Sequence, residues 1–311
     1  MNRAYCVAGH NFQVESSNEQ LLASMTNYEP FSVSQELDAE PIFVLKVEQD
    51  GLLSAEERAT YQHVFTDNSE DDMPRIEVYR SSEKHWLMRV SQIASSPICC
   101  ELTCTSDFTH GALHIDGDCQ DVRFCIDNGL MLIYAFRTAP LMTLEMHAAV
   151  VVRDVPTFQS SKGSNGSNGY LFLGHSGTGK STHARQWLAA FEDAWLLNDD
   201  NPILRVLDNG QVRVYGSPWS GKTPCYNNAD AQVGAIVKLS QAPENRIQTL
   251  RLPQAYAYML SSASGLKMDS GMSDYLYESI KHIITHIPFY HLECLPNVQA
   301  AMVCYDGVKQ S

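Results

Sequence analysis

Long apolar runs are missing from this sequence, and no stretch approaches the ~20 residues that a membrane-spanning helix needs. Positive charge is scarce too, because 22 Lys and Arg stand against 36 Asp and Glu, a formal net charge of −14. Nucleic-acid-binding surfaces are basic, so this charge argues against such a partner. The chain does not open with the apolar core of a signal peptide, and its nine cysteines are an odd number. We therefore expect a reducing, cytoplasmic location and no membrane contact.

Cysteine motifs of the zinc-binding kind are lacking as well. Cys99, Cys100 and Cys104 are crowded, but no second ligand pair stands at zinc-like spacing. Their alternation with Leu102 favours the interior of a strand instead.

The most informative stretch is a glycine-rich segment that follows an apolar run and precedes a helix-prone one. Gly174, Gly179, Lys180 and Ser181 satisfy the G-x-x-x-x-G-K-[ST] spacing of a nucleotide phosphate-binding loop. A Gly-Ser turn with an incidental lysine is the alternative. The residues predicted to form the loop are Gly174, His175, Ser176, Gly177, Thr178, Gly179, Lys180, Ser181 and Thr182.

Phosphate binding requires these residue types. Glycines let the backbone N–H groups approach the anion and allow positive φ. Lys180 can reach the β- and γ-phosphates, Ser181 can offer its hydroxyl to Mg²⁺, and the following helix points its positive end at the anion. ATP and Mg²⁺ are therefore the expected ligands.

A second apolar stretch, at 194–197, leads into the run Asn-Asp-Asp-Asn-Pro at 198–202. An apolar strand that ends in adjacent acids is the Walker B arrangement, which presents a carboxylate to the metal. We therefore expect Asp199 and Asp200 at the Mg²⁺ site, together with Ser181. An acidic turn before Pro202 is the alternative, because Asp-Asn-Pro is itself a turn signal.

Residues 1–122 show mostly period-two alternation, which predicts a β-rich domain of short antiparallel strands. Strands are expected at Ile42–Glu48, Ile76–Tyr79, Trp86–Val90 and Cys100–Cys104, with a solvated acidic loop at Asp67–Asp72. No catalytic constellation stands out here. The role of this half is open between substrate binding, oligomerisation and support of the other half.

Residues 123–311 are predicted to form a second domain, which opens with a helix capped by Asp127 and ending before Pro140. A loop at Gly216–Cys225 holds Lys222 and hydroxyls suited to phosphates or an anionic acceptor, although spacing alone defines no motif there. The other expected elements are strands at Met146–Val152, Ala194–Leu197 and 235–239, a flexible loop at Ser160–Gly169, a hairpin of Ile203–Leu207 with Val212–Tyr215, helices at 254–261 and 274–287, and a last strand at Tyr290–Cys294.

The order of these features resembles the catalytic domain of HPr kinase/phosphorylase, which is similar in fold to ATP-dependent phosphoenolpyruvate carboxykinases. The features are an apolar strand with His147, a second strand, the loop Gly174–Ser181, a helix, and a strand into Asp199 and Asp200. The loop at 216–222 also looks like one found in smaller HPr-kinase-like proteins. The resemblance covers residues 123–300. It implies an α/β fold with an α+β tendency, in which a P-loop catalytic domain follows a mostly antiparallel β-rich domain.

The resemblance also implies roles. The loop would hold ATP phosphates, while Asp199 and Asp200 would divide Mg²⁺ ligation and the general-base role between them. His147 would lie near the transferred phosphoryl group; a histidine packed at a strand start is the alternative. Thr182 and His183 stand where HPr kinase has an acidic residue after the serine, and its C-terminal protein-substrate signature has no counterpart here. The acceptor is therefore open.

The leading hypothesis is a Mg²⁺-ATP-dependent kinase that phosphorylates a hydroxyl of a protein or small molecule. In it Lys180 neutralises phosphate charge, Ser181 and Asp199 hold the metal, Asp200 accepts the proton and Lys222 stabilises the migrating group. The alternatives are a catalytically silent ATP-binding regulatory module, a decarboxylating carboxykinase and a P-loop NTPase of the GTPase or motor type. Assembly into a homo-oligomer is implied only by the resemblance.

Overall fold

The computed structural model describes residues 1–34, 40–67, 74–154, 167–221 and 224–309. The fold mixes helices and sheets, and its N-terminal part is rich in strands. The chain divides into two compact units, Met1–Arg137 and Thr138–Ser311. Across the described ranges no helix combines the length and apolarity needed to cross a bilayer.

The first unit contains one nine-stranded sheet. Its strands are β1 (Asn2–Val7), β2 (His10–Glu15), β3 (Ser32–Val33), β4 (Val44–Glu48), β5 (Tyr61–Asp67), β6 (Arg75–Ser81), β7 (Trp86–Ser91), β8 (Ile98–Cys104) and β9 (His110–Ile115). Its helices are α1 (Glu19–Ala23), α2 (Ala55–Arg58) and α3 (Val122–Thr138), with a 3₁₀ turn at Thr26–Phe31.

The strand order in this sheet is β3-β1-β2-β4-β9-β8-β7-β6-β5. The pairs β2/β4 and β4/β9 are parallel, and the other pairs are antiparallel. Period-two burial explains the strands, as in β2, where His10, Phe12 and Val14 are buried and the residues between them are less so. The expectation of a mostly antiparallel, β-rich N-terminal region is confirmed.

Helix α3 corrects two expectations. It begins at Val122, and the Asp121 carboxylate accepts the Phe124 N–H at 3.0 Å, so Asp121 rather than Asp127 caps it. Asp127 lies inside the helix and accepts hydrogen bonds from Asn27 and Tyr28.

The same helix was expected to open the second domain, yet its contacts tie it to the first unit. Tyr134 donates its hydroxyl proton to the Val7 carbonyl at 3.0 Å, and Arg137 Nε donates to the Ile42 carbonyl at 2.9 Å. The division between the units therefore falls at the C-terminal end of α3, between Arg137 and Thr138, and not at residue 122.

The second unit begins with a 3₁₀ turn at Ala139–Leu141 and contains another nine-stranded sheet. Its strands are β10 (Thr143–Glu145), β11 (Ala148–Asp154), β12 (Ser167–Leu173), β13 (Ala194–Asn198), β14 (Ile203–Val206), β15 (Val212–Tyr215), β16 (Asp230–Gln241), β17 (Arg246–Thr249) and β18 (Phe289–Cys294). Its helices are α4 (Lys180–Ala190), α5 (Leu252–Ser262), α6 (Ser270–His286) and α7 (Val298–Lys309).

This sheet runs in the order β10-β14-β15-β16-β12-β11-β13, and β18 pairs with both β16 and β17. Strand β11 is antiparallel to both of its neighbours, β12 and β13, whereas β16 is parallel to β12 and to β18. Successive side chains alternate between the faces, so Leu171 packs in one core and Phe172 in the other. Helices α5 and α6 cover the first face, and α4 and α7 cover the second.

Most elements expected in the second half are present, with one correction. Strand β12 begins at Ser167, so the last three residues of the loop expected at Ser160–Gly169 belong to a strand. Strand β18 confirms the last strand expected at Tyr290–Cys294, and α7, which the sequence analysis did not predict, follows it. Residues 160–166, Lys222 and most of the acidic loop at Asp67–Asp72 lie outside the described residues.

Candidate functional site

Strand register brings the site residues to one edge of the second sheet. Because β12 and β13 are both antiparallel to β11, their C-terminal ends lie beside the start of β11. Ala148 at that start pairs with Leu173, and Leu173 pairs on its other side with Lys238. The segments that follow β12 and β13, and His147 just before β11, therefore meet at this edge.

The glycine-rich segment forms a turn between β12 and α4. Gly177 has φ +74° and Gly179 has φ +107°, a left-handed conformation that favours glycine. A Cβ atom at either position would meet nothing within 4 Å, so the concave side of the turn is open. Gly179 is the N-cap of α4, and no hydrogen bond from a side chain caps that end of the helix in the described chain. The turn therefore has the form of an anion cradle at a helix N-terminus.

Lys180 is buried and lies across the turn. Its Nζ donates to the Gly174 carbonyl at 2.9 Å and lies 3.0 Å from His147 Nε2. A buried amine with such anchoring is held in place beside the cradle. Ser181 is exposed in the first turn of α4, next to Lys180.

The acidic turn after β13 is shaped by Asn198, a residue that the sequence analysis did not single out. Asn198 is fully buried, and its Oδ1 accepts the backbone N–H groups of Asp200 and Asn201, each at 2.8 Å. Its Nδ2 donates to Ser217 Oγ at 3.1 Å and to the Trp219 carbonyl at 2.9 Å. A single neutral amide thus fixes the backbone at Asp200 and Asn201 and ties the acidic turn to the following loop.

The two aspartates have different surroundings. Asp199 is buried, and its Oδ1 accepts the Gly221 N–H at 2.9 Å. Asp200 is half-buried; its Oδ1 lies 3.3 Å from His147 Nε2, and its Oδ2 accepts Asn201 Nδ2 at 3.1 Å. Adjacent carboxylates in unlike environments are suited to different roles.

His147 links the basic and the acidic sides of the site. Its backbone N–H donates to the Ser262 carbonyl at 2.7 Å, and the Ala148 N–H donates to the Asp200 carbonyl at 2.8 Å. The same ring nitrogen, Nε2, faces Lys180 Nζ and Asp200 Oδ1. Nε2 accepts from the lysine in the tautomer that leaves it without a proton and donates to the aspartate in the tautomer that protonates it, so the tautomer of the ring decides the partner.

Glu145 is a further acidic residue that sequence reasoning missed. It lies on β10 and is 1 % exposed, and neither carboxylate oxygen has a hydrogen-bond partner among the described residues. Burial, together with the negative charge of Asp200, raises the pKa of Glu145 to about 8. An acid between apolar neighbours and two residues before His147 is the signal that could have identified it.

Lys238 is a second buried amine at this edge of the sheet, also missed from the sequence. Its Nζ donates to the Leu239 carbonyl and lies 5.6 Å from the centre of the Tyr258 ring. Burial lowers the pKa of Lys238. With Gly174, His147 and Ser262 it lines a small cavity of about 40 Å³. A lone lysine in an otherwise apolar strand was the available signal.

A larger cleft of about 510 Å³ adjoins the glycine-rich turn. The turn contributes Gly177, Thr178 and Gly179 to its wall, and Gln241 Nε2 donates to the Gly177 carbonyl at 3.2 Å. The rest of its lining is mainly small and apolar, namely Leu239, Ala242, Cys294, Leu295 and Pro296, together with Thr182, His183 and Gln241. The cleft therefore joins an anion cradle to an apolar surface.

His183, which follows Thr182 in the first turn of α4, is part of the core. Burial lowers the pKa of His183 to about 4, and its Nε2 accepts the Trp187 indole N–H at 3.0 Å. Its ring meets Phe172 edge-on, with centroids 4.7 Å apart. This residue fastens α4 to β12, and it also lines part of the cleft beside the glycine-rich turn.

Of the predicted site residues, Lys180, His147 and Asp200 lie together in the structure. Asp199 directly precedes Asp200 in the chain. Ser181, Thr182, His175, Ser176 and Thr178 lie on the turn or on the first turn of α4, and Lys222 lies outside the described residues. No family model matches the chain, and a search of curated proteins also found no match.

Proposed function

We propose that this protein is a Mg²⁺-ATP-dependent kinase with an HPr-kinase-like P-loop domain, which transfers the γ-phosphoryl group to a hydroxyl of a protein or small molecule. The position of His147 Nε2, 3.0 Å from Lys180 Nζ and 3.3 Å from Asp200 Oδ1, carries this proposal. An amine for phosphate charge and a carboxylate for a hydroxyl proton thus flank one imidazole. Phosphoryl transfer depends on this combination of positioned charge and base.

The open turn and the adjoining cleft support nucleotide binding. Backbone N–H groups at Gly177, Gly179 and the start of α4 suit the phosphates, and the apolar wall of the cleft suits a base. Lys180 is the cation that contacts the phosphates in this proposal.

Oxygen donors for Mg²⁺ are also present. Mg²⁺ is bound in such sites through one or two carboxylates together with substrate phosphates, and Asp199, Asp200 and the Ser181 hydroxyl supply ligands of that type. A Mg²⁺ ion held there would neutralise phosphate charge.

The residues of the chain then have distinct roles. Asp200 accepts the proton of the acceptor hydroxyl. The hydroxyl oxygen bonds to the γ-phosphorus, and the bond between that phosphorus and the ADP oxygen breaks. His147 orients the Asp200 carboxylate, and Lys180 holds the charge that develops on the transferring group. Lys238, in the cavity next to His147, supplies a further positive charge that favours an anionic acceptor. The roles of Lys222 and of residues 1–137 stay predictions.

A cytoplasmic location belongs to the proposal, because ATP and Mg²⁺ are available there and no disulfide joins cysteines of the described residues.

The test is transfer of label from γ-labelled ATP with Mg²⁺ into an extract of the host cell, scored separately for proteins and small molecules. Lys180→Ala should abolish labelling, and Asp200→Asn should lower the rate by about 10²–10⁴. Lys281→Ala and Asp208→Asn, at exposed positions, are matched controls that should retain activity.

Wild-type rates in Asp200→Asn would remove Asp200 as the base. ATP binding by the wild type with no labelled product would favour the silent regulatory module, and the catalytic roles of Asp200 and His147 would then be withdrawn.

A further inference from the structure

Four cysteines of the first unit converge at one place, well removed in sequence from the glycine-rich turn. The Sγ atoms of Cys99, Cys100 and Cys125 all lie within 4.8 Å of one another. Cys119 Sγ lies 3.6 Å from Cys125 Sγ. The cluster joins strand β8, the loop before α3 and the first turn of α3.

A β-bulge explains why two adjacent cysteines both reach the cluster. Neighbouring residues of a regular strand point to opposite faces of the sheet. Between β7 and β8, however, Val90 pairs with Cys100 and Ser91 pairs with Ile98. Cys99 is therefore an extra residue that pairs with no residue of β7 in the sheet. A bulge of this kind turns a side chain away from its regular direction. The Cys99 thiol donates to the Val90 carbonyl at 3.2 Å.

The loop before α3 and the helix itself supply the other two thiols. The Asp116 N–H donates to the Cys99 carbonyl and the Cys119 N–H to the Asp116 carbonyl, each at 3.0 Å, which fastens the loop to the bulge. The Cys125 thiol, in the first turn of α3, points back to the Cys99 carbonyl at 3.7 Å.

We propose that Cys99, Cys100, Cys119 and Cys125 form a binding site for one Zn²⁺ ion. Tetrahedral zinc sites have Zn–S distances of about 2.3 Å, which places neighbouring sulfurs about 3.8 Å apart. Cys99, Cys100 and Cys125 have sulfurs within 4.8 Å of one another, and Cys119 Sγ lies 3.6 Å from Cys125 Sγ. Cys119 lies outside the mutually close group of three, so its side chain would shift to complete the tetrahedron. Binding replaces thiol protons with the cation and changes no oxidation state.

Burial fits a structural site. Cys100 and Cys125 are fully buried, whereas Cys99 and Cys119 are half-buried and leave a path for the ion. Cys104, on the same strand, is buried outside the cluster and behaves as an ordinary apolar residue. It therefore serves as a matched control. A bound ion would fasten the bulge of β8 to the start of α3.

The experiment uses the full chain, purified under reducing conditions. Its zinc content is measured by mass spectrometry of the elements, and metal-stripped protein is titrated with Co²⁺. We expect one metal per chain and the near-ultraviolet thiolate-to-cobalt bands of a tetrahedral sulfur site, which Zn²⁺ removes. This measurement on the wild type needs no variant that folds.

Variants then locate the site. Cys125→Ser and Cys100→Ser should lose the cobalt bands, whereas Cys104→Ser should keep them, with folding checked by circular dichroism. A folded, reduced wild type that binds neither metal overturns the proposal, as does full cobalt binding by Cys125→Ser. A Cys119–Cys125 disulfide in metal-free protein alkylated on isolation would also overturn it.

Discussion

Glu101 in the first unit and Glu145 in the second are both buried on strands, yet within the described chain hydrogen-bond partners surround only Glu101. Its Oε1 accepts Arg89 Nε at 2.8 Å and lies 3.5 Å from Arg58, and its Oε2 accepts the Leu53 N–H at 2.8 Å. Glu145 has no such partner, and its pKa is raised to about 8.

This difference in hydrogen bonding indicates that Glu101 has a structural role, whereas Glu145 is a buried acid that its surroundings do not hold in the ionised form. A buried carboxylate that is fully hydrogen-bonded fixes the elements around it, as Glu101 does for β7, β8 and the segment before α2. A buried carboxyl without partners destabilises the fold, and such groups concentrate at functional sites. The contrast therefore indicates that Glu101 stabilises the fold and that Glu145 belongs to the candidate site.

The largest expected effect is the difference in stability between two variants, in each of which one of these glutamates is replaced by glutamine. Glu101→Gln should lower the free energy of unfolding by about 3 kcal/mol, the low end for breaking a buried ion pair, because its arginines are partly exposed. Glu145→Gln should instead raise it at pH 6.5, because the wild type must keep this carboxyl protonated to fold, at a cost of up to about 1.4 kcal/mol for each pH unit above 4.5, and glutamine avoids that cost. Urea unfolding followed by tryptophan fluorescence measures both. Equal losses in the two variants would erase the contrast.

Measuring stability over a series of pH values tests the contrast between the two glutamates further. The folded-state pKa of Glu145, about 8, lies above the ordinary value of 4.5 for a glutamate in the unfolded chain, so the folded state holds the extra proton between these values. Its contribution to stability therefore falls as pH rises through this window, by up to about 1.4 kcal/mol per pH unit. The pKa of His183 is instead lowered from 6.5 to about 4, so its contribution falls as pH drops through that range.

The two contributions oppose each other below pH 6.5, and only that of Glu145 changes between 6.5 and 8. The difference in unfolding free energy between wild type and Glu145→Gln should therefore change by about 1.4 kcal/mol per pH unit from 6.5 to 8. Urea unfolding at several pH values in this interval provides the measurement. A flat difference would mean that Glu145 is not buried as a neutral acid.

The smallest expected effect compares two glycines. Gly51 in the first unit and Gly177 in the second both have positive φ, and a Cβ at either would meet nothing within 4 Å. Gly51→Ala and Gly177→Ala should each cost about 1 kcal/mol of stability from backbone strain. Only Gly177→Ala should also weaken ATP binding, measured by calorimetry, because its methyl group would project into the cradle. Equal ATP affinities in both variants would remove the cradle from the proposal.

The sequence predicted those parts of the site that follow from local spacing. The phosphate-loop pattern located Gly174 to Ser181, and the end of an apolar strand located Asp199 and Asp200. Glu145 and Lys238 were missed because each is a single residue whose position depends on strand register. The pairing of Leu173 with Lys238 is not visible in either strand alone.

Fold predictions failed where tertiary contacts decided the outcome. Periodicity indicated a helix near Asp127, but the hydrogen bonds of Tyr134 and Arg137 assign it to the first unit. The thiol cluster was missed for a similar reason. Zinc-like spacing assumes regular local turns, whereas here a bulge at Cys99 and a distant helix bring the sulfurs together.

Strand β16 constrains how this protein can evolve. Along its twelve residues it hydrogen-bonds successively to β15, β12 and β18 while carrying Lys238 to the site. A one-residue insertion ahead of Lys238 would exchange the two faces of the strand downstream and replace the amine at the site by an apolar side chain. Natural variation can therefore alter the residue at position 238, and with it the charge at the candidate site, but length changes within 230–241 should be eliminated by selection.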